Sequence, residues 1–170
     1  MLTANFYTGM AAWLIGKSMS GGKNRNGEET TIQKGLLADS GSGIKPAMLN
    51  PVSSYYSTAN YGVVFGSGTT PPTVNDYKLE STISDTLTFT KPSAVTLNET
   101  DDYWEMSATY GISTSSDKTI SEVGVFVTYN GTTDISKSVM IDRTVLENPI
   151  VIPAGQSKQV TYTIRLNKPK

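Results

Sequence analysis

The chain has 170 residues, with 14 basic against 15 acidic side chains and neither cysteine nor histidine. That inventory excludes disulfides, thiolate metal sites, cysteine nucleophiles and every site built on an imidazole base or ligand. A net charge of −1 excludes a long basic footprint for nucleic acid. A chain of this length buries roughly 70% of its unfolded surface without covalent staples.

The chain opens MLTANFYTGMAAWLIGKS. Leu2, Phe6, Met10 and Trp13 or Leu14 recur at helical spacing, which predicts a short amphipathic helix lying on the sheet or on a neighbouring subunit. Asn5 and Thr8 interrupt its apolar part and no basic residue precedes Lys17, so the stretch reads as mature protein rather than a signal peptide. No apolar run reaches the roughly 20 residues that cross a bilayer, and membrane insertion is not expected. SMSGGKNRNGEE then reads as a mobile loop or hairpin tip, and TTIQKGLL as one short strand. Residues 39–60 lack periodicity and carry Pro46 and Pro51, which predicts an irregular contact arm or binding loop.

YGVVFG restarts regular structure as a buried strand. In the following SGTTPPTVNDYKLES, Gly66 and Gly68 permit unusual backbone angles, and Pro71 and Pro72 stiffen the chain. Asp76 is placed to cap a helical turn carrying Tyr77 and Leu79, so the loop is expected to be ordered. DTLTFT, AVTLN and WEMSATYGI are further strands, the last aligning Trp104, Met106, Ala108, Tyr110 and Ile112 on one face. TISEVGVFVTY, SVMIDRTVLENPIVI and SKQVTYTIRL complete the pattern, with Val160, Tyr162, Ile164 and Leu166 as a second apolar row.

About eight or nine short strands separated by turns predict an all-β fold: an antiparallel β-sandwich or jelly-roll-like barrel with a short N-terminal helix and an irregular N-terminal arm. Residues 1–60 form the helix, loop and contact arm, and residues 61–170 the sandwich domain. Gly124 removes a side chain in mid-strand, where a partner's backbone or ring can approach. Pro153 and Gly155 end one strand and turn into the last, and Arg143 and Glu122 are placed to pair on a partly buried face.

Motifs for chemistry are weak. LIGKS resembles the end of a phosphate-binding loop, but Ala11 stands where the first glycine belongs, with bulky Trp13, Leu14 and Ile15 behind it. In GSGTTPP the prolines withdraw amides that a phosphate would need. Glu99, Asp101 and Asp102, with Asp76, Glu80 and Asp85, offer oxygen ligands without calcium-loop spacing, so they read as solvated turns and no metal or cofactor is expected. Lys17, Lys23 and Arg25 are interleaved with Gly and Ser, as in a solvated loop, and no nucleic-acid partner is expected. Tyr55, Tyr56 and Tyr61 cluster in the irregular segment and Tyr103 adjoins Trp104, which suits subunit contacts or, second, stacking on sugars. Asn98-Glu99-Thr100 and Asn130-Gly131-Thr132 match the glycosylation pattern, although Asn130-Gly131 reads more economically as a hairpin turn. Carboxylate-dependent glycan hydrolysis ranks last, because no acid pair is marked out.

Three pieces in order, YGVVFGSGTTPPTVNDYKLES, TISEVGVF and MIDRTVLENPIVIPAGQSKQVTYTIRL, resemble a β-rich type of structural protein of tailed bacteriophages and prophages. The opening NFYTGMAAWLIGKS is similar to the start of such proteins. The likeness covers most of the chain after residue 60 and is a pattern of strand and turn without a catalytic signature. It implies a non-enzymatic virion subunit of the tail, neck, fibre or capsid accessory type, assembled in the bacterial cytoplasm as a homo-oligomer and docked on other virion proteins. The alternative is a virion module that binds a host-surface glycan. The candidate interface comprises Phe6, Trp13, Tyr55, Tyr56, Tyr61, Pro71, Pro72, Tyr77 and Gly124.

Overall fold

A computed structural model of the chain describes residues 1–15, 19–32, 62–83, 87–90, 95–128 and 138–168. Helix α1 (Ala4–Ile15) precedes the strand pair β1 (Met19–Lys23) and β2 (Glu29–Ile32). Then follow β3 (Gly62–Gly66), β4 (Leu87–Thr90), β5 (Val95–Glu99), β6 (Tyr103–Thr114), β7 (Lys118–Thr128), β8 (Ser138–Ile152) and β9 (Ser157–Asn167).

Residues 120–126 of β7 are buried throughout, as a strand covered on both faces must be, and β7 lies between β3 and β8 with antiparallel pairing on each side. Strand β8 reaches its length by bulging: β7 pairs Ile120 with Ile150 but Glu122 with Val145, so residues 146–149 swell outward opposite Ser121. Pro149, which has no amide to donate, falls in that swelling.

The second sheet is centred on β6. Strand β9 pairs with β6 from Tyr103↔Asn167 to Ser113↔Ser157, so β4 and β5 share the remaining edge of β6, one after the other. The two apolar rows legible in the sequence are direct cross-strand partners: Trp104↔Leu166, Met106↔Ile164, Ala108↔Tyr162 and Tyr110↔Val160. The alternate positions carry Thr109 and Thr161, exposed, with their hydroxyls 2.7 Å apart. A register slip of one residue would take Ile112 and Tyr162 off the core face.

The sheets share one core. Val63 and Phe65 of β3, Ile120, Val123 and Val125 of β7, and Val139, Ile141 and Ile152 of β8 meet Ile112 and Tyr162 of the second sheet. Tyr162 donates its hydroxyl to Asp142 inside this layer. The fold is all-β with antiparallel sheets and a short N-terminal helix, and the sheets do not close into a barrel. The β8–β9 connection turns at Pro153 and Gly155 as the sequence predicts, with Gly155 at φ 72° and the Gln156 amide donating to Pro153 O at 3.0 Å.

The front of the chain packs differently from the expectation. Phe6 and Ile32 belong to the same core as β7 and β8. Thr3 donates its amide to Ile141 O at 3.0 Å, the Arg143 amide donates to Met1 O at 3.0 Å, and Asn5 Nδ2 donates to Met140 O at 3.1 Å. Residues 1–5 therefore cover the outer edge of β8, whose backbone groups would otherwise be unpaired. Asn5 also exchanges hydrogen bonds with Lys23, fastening the β1–β2 hairpin to the helix start. SMSGGKNRNGEE is thus strand, tip and strand, its tip closed by Asn24 Oδ1 accepting from the Asn26 and Glu28 amides at 3.0 Å each. The described part of the N-terminal region thus packs on the chain's own sheet. The contact arm at 39–60 lies outside the described residues.

Candidate functional site

On β7, Glu122, Gly124 and Phe126 alternate onto the face turned away from the second sheet. There Val64, Phe126 and Met140 meet Leu79 from the loop that follows β3. Glu122 is 0% exposed, and a carboxylate in that position must be paired and hydrogen-bonded.

Arg143 of β8, diagonally across the strand pair, supplies the countercharge. Its Nε donates to Glu122 Oε2 at 2.9 Å, Nη1 to Asp76 Oδ2 at 2.8 Å and Nη2 to Thr70 O at 3.1 Å, with Glu80 Oε2 at 3.7 Å. Glu122 Oε1 accepts from the amides of Gly68 (3.1 Å) and Ser81 (2.8 Å), and Oε2 from the amide of Glu80 (3.1 Å). Glu80 Oε2 in turn accepts from the Thr69 and Thr70 amides, both at 2.9 Å. The stem is closed by the Ser67 amide donating to Ser81 O at 2.8 Å. Residues 67–81 thus form a loop with adjacent ends, shaped by a buried ion pair beneath it.

The carboxyls respond to this setting. Burial opposes ionisation of Asp76, but hydrogen bonds from Thr73 and Arg143 outweigh it and hold the group below its ordinary range. Glu80 is held low chiefly by the Thr70 amide and hydroxyl. Burial opposes the charge on Arg143, yet its bonds to Asp76 and Glu122 make the guanidinium harder to deprotonate.

Two glycines are explained here in a way the sequence did not suggest. Positive φ among the described glycines occurs at Gly21, Gly27 and Gly155, not at Gly66 or Gly68. A Cβ at Gly66 would lie 2.5 Å from Glu122 Oε1, and one at Gly68 would lie 2.6 Å from the same atom. Their role is to let backbone close around a carboxylate. Asp76 likewise caps no following helical turn; it accepts from the Thr73 amide (2.9 Å) and hydroxyl (2.8 Å), closing a tight turn behind Pro71 and Pro72.

Of the candidate interface residues, the structure brings Pro71, Pro72 and Tyr77 together on this loop. Pro71 is exposed and Pro72 half-buried. Tyr77, half-buried, has the ammonium groups of Lys23 and Lys78 at 5.7 and 5.8 Å from its ring centroid, tying the loop to the hairpin. Gly124 lies directly beneath: a Cβ there would meet Leu79 Cδ2 at 2.8 Å, so the gap is filled by the chain's own loop rather than by a partner. Phe6 is buried in the chain's own core, edge-on to Tyr7 at 5.6 Å. Trp13 lies in α1 and nothing is described of its side chain; Tyr55, Tyr56 and Tyr61 lie outside the described residues.

Sequence reasoning missed Tyr7 and Val74, which are 57% and 44% exposed. Val74 is joined to the start of the helix that carries Tyr7, the Ala4 amide donating to Val74 O at 2.7 Å. The available signal was that Tyr7 falls off the apolar stripe of α1. Arg25 was read as a solvated cation, but its guanidinium lies 4.8 Å from the Phe126 ring centroid and donates to Thr82 Oγ1 at 3.3 Å. Tyr103 is covered on one face by Arg165 at 4.1 Å. Asp101 and Asp102 are exposed, Glu99 pairs with Lys168 at 2.8 Å, and Lys17, Asp85 and Asn130 lie outside the described residues. Among the described residues no group of three or more acidic, His or Cys side chains is gathered to hold a metal ion, and no helix is long and apolar enough to cross a membrane. Comparisons with protein-family models, curated proteins and solved structures find no match.

Proposed function

We propose that this chain is a non-enzymatic structural subunit of a tailed-phage virion, of the tail, neck, fibre or capsid accessory type, which self-associates and docks on neighbouring virion proteins. The observation that carries the reading is the loop at residues 67–81: Arg143, Glu122, Asp76 and Glu80 hold it in one shape with Pro71 and Val74 exposed, and Val74 O accepts from the start of the helix on which Tyr7 is exposed. A loop ordered in advance loses little conformational freedom on contact, which suits a docking surface. The strand-and-turn resemblance of YGVVFGSGTTPPTVNDYKLES to phage structural proteins includes this same loop.

The test is light scattering of the purified chain, alone and co-expressed with the other virion proteins. A defined oligomer or complex is expected, weakened by Tyr7→Asp with Val74→Asp. An inert monomer in both settings would overturn the reading. Of the tyrosines behind the glycan-binding alternative, Tyr55, Tyr56 and Tyr61 lie outside the described residues, and one face of Tyr103 is occupied by Arg165.

A further inference from the structure

The strap formed by residues 68–80 is attached in an unusual way. Among the described residues, the core between the two sheets gathers twelve buried side chains, whereas the cluster beneath the strap has four, of which the strap contributes Leu79. Tyr77 also meets the hairpin, with Lys23 5.7 Å from its ring centroid and Gly27 beside it. The rest of the strap's attachment is polar: the Gly68 and Glu80 amides on Glu122, Arg143 on Asp76, Thr70 O and Glu80, and the Ala4 amide on Val74 O. Its base is fixed separately, by Ser67 on Ser81 and by the Ile83 amide donating to Phe65 O at 3.0 Å.

From this geometry we infer that residues 68–80 are an acid-released strap, which lifts off the sheet as a unit and uncovers Val64, Phe126 and Met140 while the two-sheet core stays folded. The charged groups around the latch are Arg143 from β8, Glu122 from β7, and Asp76 and Glu80 in the strap; Arg25, from the tip of the β1–β2 hairpin, lies over the Phe126 ring beneath, and Lys23 from β1 and Lys78 face Tyr77. Helix α1 carries no charged residue. When Asp76 and Glu80 take up protons, Arg143 remains charged and loses countercharge in a buried place, which favours opening. The sign follows from the lowered values of Asp76 and Glu80: their contribution is complete above the ordinary carboxylate range and disappears as the pH falls through the lowered ones. The core between the sheets is held chiefly by apolar area, and the carboxylate described within it, Asp142, is paired with the N-terminal ammonium and the Tyr162 hydroxyl rather than with the strap.

Amide hydrogen exchange on the full chain, corrected for intrinsic rates, tests the inference at neutral pH and at about pH 2, below the ordinary carboxylate range. The amides of Gly68, Thr69, Thr70 and Glu80 are expected to lose about tenfold or more of their protection, with those of β6 and β9 unchanged. An apolar dye should gain fluorescence over the same interval. In an Asp76→Asn, Glu80→Gln variant the strap should exchange fast already at neutral pH and cease to respond to acid. Retained protection of the strap at low pH would overturn the inference. So would loss shared equally with β6 and β9, or a double variant with the parent profile.

Discussion

The sheet of β3, β7 and β8 is buried on both faces by opposite means. Towards the second sheet, Val63, Phe65, Val123, Val125 and Ile141 present apolar volume, and the neighbours that meet them are apolar too. Towards the loop, the same strands present Glu122 and Arg143, and each polar atom there has a specific partner. The first face is stabilised by area and tolerates swaps that conserve volume. The second is stabilised by geometry, where losing one partner leaves a buried charge uncompensated. The comparison teaches why the loop has a single shape: apolar packing alone would allow a loop anchored by one leucine to slide, whereas five hydrogen bonds to a carboxylate and a guanidinium do not.

The sharpest way to break the contrast is Glu122→Ala. It removes the fully buried countercharge of Arg143 and leaves three backbone amides without their acceptor at once, and the expected cost is about 3–5 kcal/mol, read from the denaturant midpoint. Replacing both partners, Glu122→Leu with Arg143→Met, should recover most of that loss in global stability while leaving residues 68–80 exchanging fast. If the double variant kept the strap protected, apolar cover would be enough and the two faces would not differ in kind.

A smaller effect is expected at Gly68. Its Cβ would sit 2.6 Å from Glu122 Oε1 and 2.5 Å from Glu80 Cβ, and Glu122 cannot withdraw without breaking its bonds to Arg143 and the amides. Gly68→Ala should therefore cost about 1–3 kcal/mol by overpacking. A midpoint equal to the parent's would show that the carboxylate has freedom the geometry denies it.

Much of this architecture was legible in the sequence. The strands β6, β7, β8 and β9 combine alternation with β-branched content, and their cross-strand partners are the very rows that the alternation marks. Strand β1, MSGGK, was not legible as a strand, because nothing in its composition favours one; pairing with β2 and the hydrogen bonds of Asn5 decide it. The Arg143–Glu122 pair was legible as a pair, but its burial was not. That depends on a loop some forty to seventy residues earlier in the chain folding over it, a placement no local window contains. The same distance hid the meaning of Gly66 and Gly68, whose neighbour is a carboxylate on another strand.

The smallest effect is expected where an ion pair has good geometry but the wrong surroundings. Arg165 donates to Glu105 Oε2 at 2.6 and 3.0 Å and covers the Tyr103 ring, contacts as short as those of Arg143. Yet it lies on the outer face of the second sheet, about half exposed, where water competes for both charges and ordering two long side chains offsets the attraction. Arg165→Ala should therefore leave the denaturant midpoint where it was, at low as at high salt. A loss as large as that of Glu122→Ala would mean that distance, not burial, sets the worth of a pair in this protein, and the contrast between its two faces would no longer follow from what covers them.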